Sequence, residues 1–137
     1  MKQGSVTISV ILPVLNEQDH LEGTVQKIVQ QLESLEISYE IVIVDDGSSD
    51  NTWRIIKRIR SSNPHIGVIR FTRNFGKEAA MFAGLSYSNG QAAIIMDADL
   101  QHPPEILLWD FLKLNFFSRD CFCGLAMKGL LSHLGVM

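Results

Sequence analysis

Asp97 and Asp99 stand one residue apart at the end of an apolar run, in IIMDADLQHPPE, residues 94–105. Carboxylates beside a buried strand are costly unless a cation or hydrogen-bond donors meet them. On an extended segment, side chains at i and i+2 share a face, so these two carboxylates point the same way. Hard oxygen ligands of this kind select Mg²⁺ or Mn²⁺, with water, a substrate phosphate and Gln101 available to complete the shell. Taken alone, the Asp-x-Asp pattern also fits an ordinary acidic surface turn. A second acidic strand end, Asp45 and Asp46 in VIVDDGS, strengthens the functional reading.

Four short runs rich in Val and Ile must position these groups: residues 7–14, 39–46, 66–71 and 91–99. The second and fourth are apolar without alternation, as strands covered on both faces are. Helices are expected between them. Leu21, Val25, Ile28, Leu32 and Leu35 make one apolar helical stripe. Trp53, Ile56 and Ile59 make another, opened by the cap-type residues Ser48, Ser49, Asp50 and Asn51. An Ala-rich third helix is expected from Lys77 to Tyr87. Strand–helix alternation at this spacing means βαβ units and a mostly parallel sheet, an α/β, Rossmann-like architecture.

Ligands of such sheets bind outside the carboxyl ends of the strands. Those ends are polar here: Asn16 and Glu17 after the first, Asp45, Asp46 and Ser48 at the second, TRNFGK after the third, DADLQ at the fourth. Three of the four present carboxylates, so a cation or a set of hydroxyl and N–H donors is expected. No G-x-G and no GxxxxGK[ST] loop occurs, so phosphate must be held in another way than by the common nucleotide loops. A divalent metal bridging carboxylate and diphosphate oxygens does this.

Length and composition bound the function classes. The 137 residues suffice for one domain, and 46% apolar with 20% charged residues fits a globular chain. A net charge of −3 offers no general attraction for nucleic acid. From Trp53 to Lys77 there are seven basic residues and no acidic one. Such a segment fits phosphates, an anionic membrane surface or a plain solvated face. Cys121 and Cys123 are too close for an ordinary bridge and read as reduced, cytoplasmic thiols. No secretory signal is visible, and no run reaches the roughly 18 apolar residues of a membrane span.

The segments ISVILPVLNE, YEIVIVDDGSSDNT, RNFGKEAAMFAGLSYSNG and IIMDADLQHPPE resemble, in order and spacing, the inverting family 2 (GT-A) glycosyltransferases. The RNFGK segment is similar to the branch that loads sugars onto polyprenyl phosphates, such as dolichyl- and undecaprenyl-phosphate glycosyltransferases. This resemblance covers residues 8–105 and implies a nucleotide-sugar donor, linked to UDP or GDP, and Mg²⁺ or Mn²⁺ as cofactor. It implies Pro13, Leu15 and Glu17 at the border of the nucleotide, and Asp45 and Asp46 on base and ribose. It also implies Arg73 and Lys77 near the donor phosphates, Asp97 against ribose or sugar, and Asp99 with Gln101 on the metal.

The acceptor implied is a polyprenyl phosphate at the cytoplasmic membrane face, to which the full-length protein would be peripheral or tethered. That phosphate is already anionic and needs no general base, so His102 is read as a loop residue. Plainer roles are also expected. Ser48, Ser49 and Asp50 would cap a helix, Glu17 would favour a helix dipole, and Gly47 would allow a tight turn. Pro103 and Pro104 would end the strand and start a helix. A donor-binding domain is expected over residues 1–105, followed by a divergent tail, 106–137, that reads as truncated. Two alternatives stand beside the enzyme: a catalytically incompetent fragment that binds nucleotide-sugar, and a receiver-like signalling domain.

Overall fold

The structure is a computed structural model, and it describes residues 6–98. Its elements run in the order β1 (Ile8–Val14), α1 (Leu21–Ser34), β2 (Tyr39–Asp45), α2 (Thr52–Ser62), β3 (Ile66–Arg70), α3 (Lys77–Tyr87) and β4 (Ala92–Ile95). The strands form one parallel sheet in the order β3-β2-β1-β4. This is the α/β, Rossmann-like arrangement that the alternation of apolar runs predicts.

Register explains how the sheet is covered. On β1, Ile8, Val10, Leu12 and Val14 face α1 and α2, where they meet Leu21, Val25, Ile28, Leu32, Ile56 and Ile59. Ile11 faces the other way, with Val42, Val44 and Ala80, under α3. Period-two alternation within strands that look uniformly apolar thus feeds two cores, one per face. Each fully buried aliphatic side chain contributes about 1.5–3 kcal/mol relative to exposure. Gly84 lets α3 lie close to the sheet, because a Cβ there would run into the Ile11 and Val44 methyl groups.

The chain steps from β1 outward to β2 and β3, then returns to the opposite flank of β1 as β4. The reversal opens a crevice between the carboxyl ends of β1 and β4, where open α/β sheets bind ligands. Pro13 helps to open it. β1 pairs with β4 only from Ile8↔Ala92 to Ile11↔Ile95, and the last bond is the Met96 amide donating to the Ile11 carbonyl at 3.0 Å. Pro13, two residues on, would direct its amide to that same side, and it has none to give. β1 and β4 therefore part where the site begins.

Two expectations are corrected. The fourth strand ends at Ile95 and does not run to residue 99, so Asp97 lies on the loop beyond it. Ser48 and Ser49 do not cap α2. The Ser48 hydroxyl accepts from the Asn16 amide at 2.9 Å, and the Ser49 amide donates to Asn16 Oδ1 at 2.9 Å. They lock the loop after β2 onto the loop after β1, a partner about thirty residues away that local spacing does not reveal. Asp50 does serve the helix start, its carboxylate accepting from the Thr52 amide at 2.9 Å. Asp99, Gln101, His102, Pro103, Pro104, both cysteines and the tail 106–137 lie outside the described residues.

Candidate functional site

Four loops and one helix terminus converge on the crevice. From β1 come Pro13, Val14, Leu15 and Glu17; from β2, Asp46; from the loop before α3 and its first turns, Asn74, Gly76, Lys77 and Ala80; from beyond β4, Asp97 and Ala98. Together they enclose a cleft of ≈ 470 Å³, within the range of about 300–1,000 Å³ usual for small-molecule sites.

Asp46 builds the wall below α3. Its amide donates to the Val14 carbonyl at 2.9 Å, tying β2 to the end of β1. Its carboxylate accepts from the Phe75 amide at 2.7 Å and the Gly76 amide at 3.1 Å. Both oxygens are thereby engaged in charge-assisted bonds that set the loop leading into α3. Gly47 brings that loop close. Its φ is +76°, and a Cβ there would lie 2.5 Å from the Arg73 carbonyl carbon. Only glycine fits such an approach at such a dihedral.

Asp97 is held from both sides by its backbone. Met96 is bonded to β1 as described, and the Ala98 carbonyl accepts from the buried Thr24 hydroxyl of α1 at 2.7 Å. Between these two fixed neighbours the Asp97 carboxylate projects into the cleft, where the Lys77 ammonium meets it at 2.5 Å. Lys77 is the first residue of α3, a helix terminus that carries partial positive charge. The answer to what Asp97 meets is thus a cation supplied by the chain itself.

Glu17 sits at the cleft's edge, with its amide donating to the Thr52 hydroxyl at 2.9 Å and its carbonyl accepting from His20 and Leu21 at 3.2 and 3.0 Å. Its backbone, more than its charge, leads into α1. Asp50 holds the Thr52 side of this contact. Burial opposes its charge, but hydrogen bonds from the Thr52 hydroxyl and amide, with those from the Gln18 and Asp50 backbone, together keep the Asp50 carboxyl below the ordinary carboxylate range.

Two residues expected at the donor, Asp45 and Arg73, are not among those that line the cleft. Asp45 is fully buried; its Oδ1 accepts from the Ser48 amide at 2.9 Å, and its Oδ2 has no hydrogen bond, with Arg70 Nε 3.9 Å away. Arg70 in turn stacks on Trp53 at 4.9 Å. Arg73 is exposed, its guanidinium 4.7 Å over the Phe75 ring. Conversely, Asn74, Gly76 and Ala80 line the cleft and were not singled out by residue chemistry. The signal for them is the RNFGK loop itself, whose Asn and Gly mark a tight approach before a helix. Among the described residues no cluster of three His, Cys, Asp or Glu side chains is placed to hold a metal ion.

This geometry, a parallel sheet with an acidic and cationic cleft at its switch point, defines a Rossmann-like α/β domain with a small-molecule cleft. Residues 9–126 match the model of glycosyl transferase family 2, and the chain belongs to that family. A glycosyltransferase of Synechocystis, sll0501, is 42% identical over 75% of this chain and 32% of its own. The Bacillus subtilis glycosyltransferase YkcC is 36% identical over 75% of this chain and, again, 32% of its own. The chain therefore spans about a third of the length of the curated relatives it matches. Among solved structures, the mannosyltransferase PcManGT of Pyrobaculum calidifontis, in complex with GDP-Man and Mn²⁺, is similar with a TM-score of 0.61 and 29% identity. The match covers 67% of this chain and 27% of that one. Residues 1–349 of Staphylococcus aureus TarS share the fold at a TM-score of 0.57 and 23% identity, over 69% of this chain and 28% of that one.

Proposed function

We propose that the cleft binds a nucleoside diphosphate sugar, UDP- or GDP-linked, together with Mg²⁺ or Mn²⁺. In the whole protein, on this reading, a hexose is transferred with inversion to a polyprenyl phosphate at the cytoplasmic membrane face. One observation carries the donor reading: Lys77 at the start of α3 and the rigidly seated Asp97 converge on a cleft at the sheet's switch point. The likeness to a mannosyltransferase structure in complex with GDP-Man and Mn²⁺ supports donor and metal alike.

The residues present suit a hard divalent ion in one respect. Asp97 is a partly exposed carboxylate in the cleft that already draws a cation. Asp97, Asp99 and Gln101 would hold the ion, with diphosphate oxygens as the remaining ligands. When bound, the ion offsets the charge that develops on the nucleoside diphosphate leaving group. The chain's own residues do the rest. Pro13, Leu15 and Glu17 border the nucleotide, Asp45 and Asp46 set the loops that face its base and ribose, and Lys77 and Arg73 neutralise its phosphates. An acceptor phosphate oxygen attacks the anomeric carbon as the bond to the diphosphate oxygen breaks, which inverts that centre. Such a nucleophile is anionic before it arrives, so no side chain has to remove a proton.

The test is calorimetric titration of UDP-glucose and GDP-mannose, with and without Mn²⁺, into this chain and into Asp99→Ala. The expected result is binding that requires Mn²⁺, selects one base, and falls at least tenfold in the variant. Binding to neither donor overturns the reading. A polyprenyl phosphate added to a donor-binding preparation then separates transfer from donor binding alone.

A further inference from the structure

We propose that Lys77 keeps the cation seat on Asp97 in the donor-free protein and surrenders it only when metal and donor arrive together. The inference rests on the donor reading above and concerns the order in which the site fills.

The two partners of the ion pair differ in freedom. Asp97 is flanked by Met96, bonded to Ile11, and by Ala98, bonded to Thr24, so its backbone stays where it is. Lys77 carries its charge on a flexible four-carbon stem, and its side chain is 56% exposed against 43% for Asp97. An ion pair this open contributes little by itself, so exchanging partners costs little. Any rearrangement at the pair is therefore a movement of Lys77.

Each partner also has a better counterpart than the other. A divalent ion on Asp97 would lie within a few ångström of the Lys77 ammonium, and the two repel. Metal alone must evict Lys77 and leave it without an anion at the positive end of α3, the place a cation is least favoured. A diphosphate removes the obstacle, because it gives both the ammonium and the helix terminus an anion. The exchange is double: metal replaces Lys77 on Asp97, and diphosphate replaces Asp97 on Lys77. Metal and nucleotide then reinforce each other's binding, and thermodynamic reciprocity makes the reinforcement equal in both directions.

Free-manganese titration by electron paramagnetic resonance tests this, on the wild-type chain, Lys77→Met and Lys77→Arg, each alone and with saturating UDP or GDP. Circular dichroism and thermal melting confirm that the variants fold, as expected for a half-exposed side chain. Lys77→Met should bind Mn²⁺ alone about five- to tenfold more tightly than wild type, at the low end of ordinary coupling factors. It should also lose most of the gain that nucleotide gives to Mn²⁺ affinity, whereas Lys77→Arg keeps both properties. Unchanged or weaker binding of Mn²⁺ alone by Lys77→Met overturns the exchange, while Mn²⁺-dependent nucleotide binding by the wild type leaves the donor reading standing. No Mn²⁺-dependent nucleotide binding by any of the three proteins overturns both.

Discussion

Asp46 and Asp97 are acidic residues at the ends of neighbouring loops, and the fold uses them in opposite ways. Asp46 is buried and spends both oxygens on the Phe75 and Gly76 amides, so its charge shapes the protein. Asp97 is partly exposed, makes its ion pair with a mobile partner, and leaves its charge available to a ligand. The difference predicts different mutant behaviour. Asp46→Ala strands two amides at the entry to α3 and should cost roughly 2–4 kcal/mol, from the usual worth of hydrogen bonds to charged groups. The urea midpoint should fall accordingly, and an unshifted midpoint would show that the two bonds are dispensable. Residue chemistry alone ranks these carboxylates together, since both follow apolar strands. What separates them is which backbone amides the fold brings within reach, and Phe75 is 29 positions from Asp46. Ser48 and Ser49 escape the sequence for the same reason, because Asn16 is their partner and no local pattern says so.

At the level of elements, the helices and strands are legible because their signals are local. The stripe of Leu21, Val25, Ile28 and Leu32 is the buried face of α1, and all three helices fall where spacing and composition place them. The last strand is the exception, since Met96 continues the apolar run but β1 has already reached Pro13 and offers no further partner. Nor does the sequence announce which side of α3 meets the sheet, because its Ala-rich composition spreads apolar character around the helix. The decisive residue is Gly84, where any side chain would collide with Ile11. Gly84→Val should therefore push α3 off the sheet and cost about 1–3 kcal/mol, the usual penalty of overpacking. Because Lys77 rides on the same helix, the proposed donor affinity should drop along with the melting temperature. A variant as stable as wild type would place the helix–sheet contact elsewhere.

On the scale of the whole molecule the two faces of the sheet are unequal. Among the described residues, the α1 and α2 face holds an extended core, whereas the α3 face buries only Ile11, Val42, Val44 and Ala80. Local opening free energies follow buried apolar contact. Amides of α3 should consequently exchange with deuterium well before those of β2, which is covered on both sides. Equal protection of the two would mean that the α3 face carries more stabilisation than its burial indicates. The layered architecture is thus readable from the alternation of elements, while its asymmetry emerges only once register assigns each side chain to a face.

The bond from the Thr24 hydroxyl to the Ala98 carbonyl joins residues 74 positions apart, and the one from the Gly90 amide to the Ser9 hydroxyl spans 81. During synthesis, β1, β2 and β3 are all available to pair once about residue 70 has emerged, yet at that moment the crevice lacks both its α3 residues and its second wall. Its second wall, with Asp97, arrives only when the chain returns and β4 docks on the far flank of β1. An intact cleft is accordingly a sign that the sheet has closed, since a nascent or nicked chain lacking β4 has no Asp97 wall to present to a ligand.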